Sequence, residues 1–195
     1  MSRNPARHDC SQLVALLRGI NVGGNNRVPM ADLRECMTEI GAADVATYIQ
    51  SGNVLFDGGR RSAAAWATRI EAALSKRFDY VASVVMRDHA ELRAVVKDAP
   101  SAFGAEPDRY REDVVFLKAP MTAATALEQM RARDGVDVAV AGDGVVYVSR
   151  LAERASQSYF STFVGTPAYK QSTIRNWRTT TTLLAMLDQR EVDAS

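Results

Sequence analysis

Hydrophobic positions along this chain fall into short apolar runs and stripes at helical spacing. Leu13-Val-Ala-Leu-Leu17 is a continuous run followed by glycines, the mark of a buried strand. Pro29 and Asp32 then give helix-start signals. Leu33, Cys36, Met37 and Ile40 recur at helical spacing, and Gly41 closes that helix. Runs 47–50 and 53–56 flank Ser51-Gly52, which predicts a tight hairpin, with one continuous strand as the alternative. Trp66, Ile70, Leu74 and Phe78 mark a second amphipathic helix, and Val81 to Met86 a further strand. Leu92, Val95 and Val96 mark a helix stopped by Pro100.

After a connection over residues 101–111 the order begins again. Val114 to Leu117 reads as a strand, Thr122 to Arg133 as a helix carrying Ala126, Leu127 and Met130. Val136 to Val140 and Val145 to Val148 flank Gly142-Asp143-Gly144, the clearest hairpin in the chain. A helix over Leu151 to Phe163 follows, then a short strand at Ser172 to Arg175. Thr179 is placed to cap a last helix containing Leu183, Leu184 and Leu187. Each half thus reads β-α-β-β-α-β. The fold class is α+β, a tandem of two ferredoxin-like (βαββαβ) units; the alternative is one larger mixed α/β sheet. The expected division is a flexible lead-in over 1–10, a first unit over 11–100, the connection 101–111 and a second unit over 112–195.

Composition narrows the function classes. The chain has 195 residues with 47% apolar and 24% charged positions, ordinary for a globular protein. A net charge of +1 supplies no global field toward nucleic acid or membrane. No apolar run reaches the length of a membrane span, and Met1 to Asp9 has no signal-peptide core. Cys10 and Cys36 form no disulfide framework, which fits a reduced, cytoplasmic setting. Catalytic signatures are missing. The two histidines, His8 and His89, sit in no metal-spaced cluster, and there is no GxSxG elbow. No catalytic residue, metal or cofactor is therefore assigned, and whether the protein is an enzyme stays open.

Two stretches carry distinctive chemistry. The first is Arg18 to Arg27, with Gly23 and Gly24 for close main-chain approach, Asn21, Asn25 and Asn26 for amide bonding, and Arg18 and Arg27 for charge. No acid occurs between Asp9 and Asp32. A glycine loop running from a strand into a helix N-terminus suits an anion, because unpaired N–H groups and the helix dipole favour negative charge. It matches neither GxGxxG nor a P-loop. The candidate ligand-binding residues are Arg18, Asn21, Gly23, Gly24, Asn25 and Arg27, with Arg175 added, and the ligand class is a small anionic or nucleotide-like molecule. The competing reading is a structural turn whose asparagines satisfy backbone groups. The second stretch is 154–187, free of acids, in which Lys170, Arg175 and Arg178 alternate with Tyr159, Phe160, Phe163, Tyr169 and Trp177. Basic residues among aromatics suit single-stranded nucleic acid, the alternative binding function. Against it stands the reading that these aromatics pack the second unit. A structural or interaction module without a ligand site is the remaining alternative.

Leu16-Leu17-Arg18-Gly19-Ile20-Asn21-Val22-Gly23-Gly24, Val28-Pro29-Met30-Ala31-Asp32-Leu33, 48–56 (Tyr-Ile-Gln-Ser-Gly-Asn-Val-Leu-Phe) and Thr173-Ile174-Arg175-Asn176-Trp177 together resemble the domain of unknown function 1697 family of bacterial proteins. The resemblance implies a compact α/β protein of plait-like units and carries no activity with it. The family often has Asn where this chain has Arg178.

Overall fold

In the computed structural model, which describes residues 12–21 and 26–193, the chain is α+β with two four-stranded antiparallel sheets and several helices. The expected lead-in 1–10 and the candidate residues Gly23, Gly24 and Asn25 lie outside the described residues. Two compact units divide at His89 and Ala90.

The first unit runs β1 (Gln12–Leu17), α1 (Met30–Glu39), β2 (Ala43–Tyr48), β3 (Asn53–Asp57), α2 (Ala63–Arg77) and β4 (Val84–Asp88), with sheet order β2-β3-β1-β4. Register places Val14 opposite Leu55 on one side and Arg87 on the other. The continuous apolar run of β1 has a simple cause: both faces are buried. Leu13, Ala15 and Leu17 join a core with Val54, Phe56, Val84 and the helix residues Leu33, Met37, Trp66, Ile70 and Leu74. Val14 and Leu16, on the opposite face, are equally buried. Each large aliphatic side chain in this layer contributes about 1.5–3 kcal/mol by leaving water. Cys36 belongs to the same core, and burial pushes its thiol pKa up, so it is an apolar filler rather than a reactive group.

The second unit contains α3 (His89–Lys97) from Ala90 onward, then β5 (Tyr110–Leu117), α4 (Ala123–Glu128), β6 (Asp137–Gly142), β7 (Val145–Leu151), α5 (Pro167–Lys170), β8 (Ser172–Asn176) and α6 (Trp177–Asp193). Its sheet order is β6-β7-β5-β8. Val115, Leu117, Val146 and Val148 face Ala126, Phe163 and Ala168. On the other face the Tyr147 hydroxyl donates to Val95 O at 2.8 Å, and the Phe103 ring meets Tyr147 and Trp177 edge-on.

Three sequence expectations shift. The helix expected over 122–133 stops at Glu128, where Gln129 turns its side chain away to accept from Ala168 N. The helix expected over 151–163 is two 3-10 turns, Ala152–Gln157 and Phe160–Phe163. Serine and threonine there bond to their own backbone: Phe160 N to Ser158 Oγ, Thr162 Oγ1 to Tyr159 O, Thr166 Oγ1 to Phe163 O. Such bonds compete with the α-helical ladder. The last helix begins at Trp177, and Asn176, not Thr179, caps it by accepting from Thr179 N at 2.8 Å.

Candidate functional site

The loop after β1 turns on asparagine. Gly19, Asn21 and Asn26 all adopt positive φ, at 69°, 54° and 49°. Asn and Gly are the residues that tolerate this region best. The Asn21 amide is engaged on both its atoms: Nδ2 donates to Val28 O and to Gln50 O, each at 2.9 Å, and Oδ1 accepts from Val28 N at 2.8 Å. Asn26 Nδ2 donates to Gly19 O at 2.9 Å, and Asn21 N to Asn26 O at 3.1 Å. The described ends of the loop are therefore bonded to each other, and Asn21 ties them to the 49–52 turn of the β2–β3 hairpin. This contact, 29 residues apart in the chain, brings the two polar turns of the first unit to one end of its sheet.

The charged members are placed differently. Arg18 is half-buried at the end of β1, and its N–H donates to Ser83 O. Arg27 is exposed. The loop delivers the chain to α1, whose first turn has no side-chain cap: Pro29 occupies the capping position, and Leu33 N begins the ladder on Pro29 O. The N–H groups of Met30, Ala31 and Asp32 thus precede the ladder, and positive potential is concentrated beside them. Asp32 is the acid of that turn.

Arg175 lies in the second unit, on β8, and is 7% exposed. Its Nη1 donates to Thr173 Oγ1 and Ile174 O, both at 2.8 Å. Burial pulls its pKa down to about 10, which leaves it charged near neutral pH. The aromatic residues of the 154–187 stretch are largely engaged in packing. Phe163 is fully buried, stacked on Phe160 and edge-on to Tyr169. Trp177 packs edge-on to Phe103 at 5.0 Å, and Gly104 leaves no room for a Cβ against its indole. Tyr159 keeps an exposed face, with the Arg133 guanidinium 5.5 Å above its ring.

One group of residues was not visible in the sequence. A cleft of about 440 Å³ in the second unit is lined by Arg150, Ser156, Ser158, Phe160, Ser161 and Phe163, with aliphatic neighbours. Arg150 is ion-paired with Asp113, and Phe160 covers its guanidinium at 5.1 Å. Its Nε is buried without a hydrogen-bond partner. No signal in the sequence points to it, since 151–163 reads there as a helix.

No helix among the described residues is long and apolar enough to cross a membrane. No curated protein matches the chain. Among solved structures it is similar to a conserved bacterial protein, SP0830, of Streptococcus pneumoniae. The TM-score is 0.77 and the identity 27%, over 91% of this chain and 98% of that one. Residues 10–147, more than half of the chain, match the family described as protein of unknown function (DUF1697), and the chain belongs to that family.

Proposed function

We propose that the protein binds a small anionic or nucleotide-like ligand at the loop 18–27. The observation that carries this reading is the first turn of α1, which opens at Met30 without a side-chain cap, three residues after the exposed Arg27. Unpaired N–H groups and the helix dipole favour an anion there, and the nearby Arg27 adds positive charge against the single acid of the turn, Asp32. Arg18 at the strand end adds a second cation to an acid-free segment. Asn21 acts here as the brace that ties the loop to the hairpin, and Gly23, Gly24 and Asn25 complete the candidate set. Arg175, buried in the second unit, contributes no exposed charge and is the weakest member of the candidate set. The architecture that would present this loop is a tandem of ferredoxin-like units; the strand orders β2-β3-β1-β4 and β6-β7-β5-β8 support that reading.

Calorimetric titration with inorganic phosphate, sulfate and nucleotides tests the proposal. Saturable binding is expected, weakened by an order of magnitude or more in Arg27→Ala and in Arg18→Ala. No heat above background, or equal affinity in wild type and both variants, overturns it.

A further inference from the structure

We propose that the outer edge of β6 is a self-association surface, on which a second copy of this chain lays its own β6 antiparallel across a two-fold axis. The ladder geometry says which groups are on offer. Leu151 N donates to Val136 O at 2.9 Å, and the register then runs from Asp137–Arg150 to Gly142–Val145 without a shift. In an antiparallel ladder bonded and non-bonded pairs alternate. Val138, Val140 and Gly142 therefore bond to β7, while the N–H and C=O of Ala139 and Ala141 turn outward. β6 is the edge of its sheet, so these groups meet no neighbouring strand. Beside them Val138 is 59% and Val140 40% exposed.

Sheet edges are ordinarily blunted by charge, proline or a bulge. The equivalent edge of the first unit is blunted: β2 breaks register between Ala43 and Ala46, and Asp44 sits there at a φ of 47°. β6 has no such device, and no charged residue lies between Asp137 and Asp143.

The pattern of β6 identifies the occupant. Val138-Ala139-Val140 reads the same in both directions. A two-fold axis through Ala139 sets Val138 against Val140 of the second copy, twice. It pairs the open backbone groups of Ala139 with each other and sets Ala141 N–H toward Asp137 O, the Asp137 N–H being already donated to Arg133 O at 2.9 Å. Moving the axis to Val140 would set Val138 against Gly142 instead. No like charges meet: Asp137 faces Ala141, and its carboxylate already accepts from Arg133 N and Tyr159 N. The product is one continuous eight-stranded antiparallel sheet, with four exposed valines covered on a single face.

Sedimentation velocity across micromolar concentrations tests this on the full chain. Wild type is expected to dimerise. Val138→Lys/Val140→Lys should weaken association by more than an order of magnitude, because it places cations on both sides of the axis. Val192→Lys, an equally exposed position on α6, should leave it unchanged. Both valines are exposed, so the double variant should fold, which circular dichroism verifies. A wild-type protein that stays monomeric overturns the proposal. So does a dimer that forms equally well with both lysines in place. If wild type is monomeric but an extended apolar peptide protects the Ala139 and Ala141 amides from hydrogen exchange, the edge serves a foreign strand and the second copy is excluded.

Discussion

Between β3 and β4 the first unit places one fifteen-residue helix, α2; between β7 and β8 the second unit makes the same step with two 3-10 turns and the four-residue α5. The sheets beneath have the same strand order, so the contrast isolates what the crossover does. In α2, Ser62 caps the start by accepting from Ala65 N, and Trp66, Ile70 and Leu74 form an unbroken buried stripe. Trp66 also donates Nε1 to Gly58 O at 3.0 Å and meets Phe56 edge-on at 4.9 Å. In 152–170 one side chain, Phe163, fills the large-hydrophobe role, and hydroxyls hold the turns locally. A helix seals its face of the sheet; the short turns leave the cleft around Arg150.

The largest expected effect breaks this comparison at its anchors. Trp66→Ala removes a fully buried ring together with its hydrogen bond and should cost about 3–5 kcal/mol in urea unfolding. Phe160→Ala, at the half-buried rim of the cleft, should cost only about 1 kcal/mol, because little new cavity is created. Equal losses would mean that the turns seal their sheet as tightly as the helix does.

The same contrast marks what the sequence made legible. Segments whose spacing alone decides their structure were readable: the apolar run of β1, the stripe of α2, the Gly142–Gly144 hairpin. There, local propensity and burial agree. The 151–163 segment misled because Ala152, Ala155 and the aromatics carry an apolar count that suits a helix, while Ser158, Thr162 and Thr166 turn to nearby carbonyls and amides. The candidate loop was readable as glycine- and asparagine-rich, and its role as a turn out of a strand followed. The bonds of Asn21 to Val28 fit the reading of a turn whose asparagines satisfy backbone groups; its contact with Gln50 O was not readable, since that partner lies far along the chain. The cleft was unreadable for a related reason: it arises from an absence of covering structure, which no residue announces.

The hairpins give a sharper comparison. Both turns take a backbone bond from the neighbouring strand, Leu17 N to Gly52 O and Leu117 N to Gly144 O; the first turn is held in addition by the Asn21 side chain at Gln50 O, and in the second Gly144 adopts a φ of 64°. Asn21→Ala strips one N–H and two carbonyls of their partner and should destabilise by about 2 kcal/mol. Asp143→Ala should stay within about 0.5 kcal/mol. Urea midpoints for the two variants, taken side by side, read the difference directly; indifference of the fold to Asn21→Ala would remove the brace from the account of the loop.

The smallest expected effect concerns two carboxylates that each hold a backbone amide. Glu71 Oε1 accepts from Val84 N at 2.8 Å in the first unit, and Glu112 Oε2 from Gly104 N at 2.6 Å in the second. Glu112 is the more deeply placed, at 9% exposure. Burial pushes its pKa up from the ordinary 4.5, against the opposing pull of the Gly104 N–H. A carboxyl raised on folding binds its proton more readily in the folded chain than in the unfolded one, so stability falls as pH rises across the interval between the two values. Above that interval the ionised group weighs against the fold; as pH drops through it the penalty disappears, and below the unfolded value it stays absent. Glu112→Gln keeps an acceptor for Gly104 and has no charge to lose. The stability of wild type relative to Glu112→Gln should therefore increase as pH is lowered from neutral to below 4.5, in a series of urea midpoints. A difference that is flat, or that shrinks with acidification, would mean that the Gly104 hydrogen bond outweighs burial at this carboxylate.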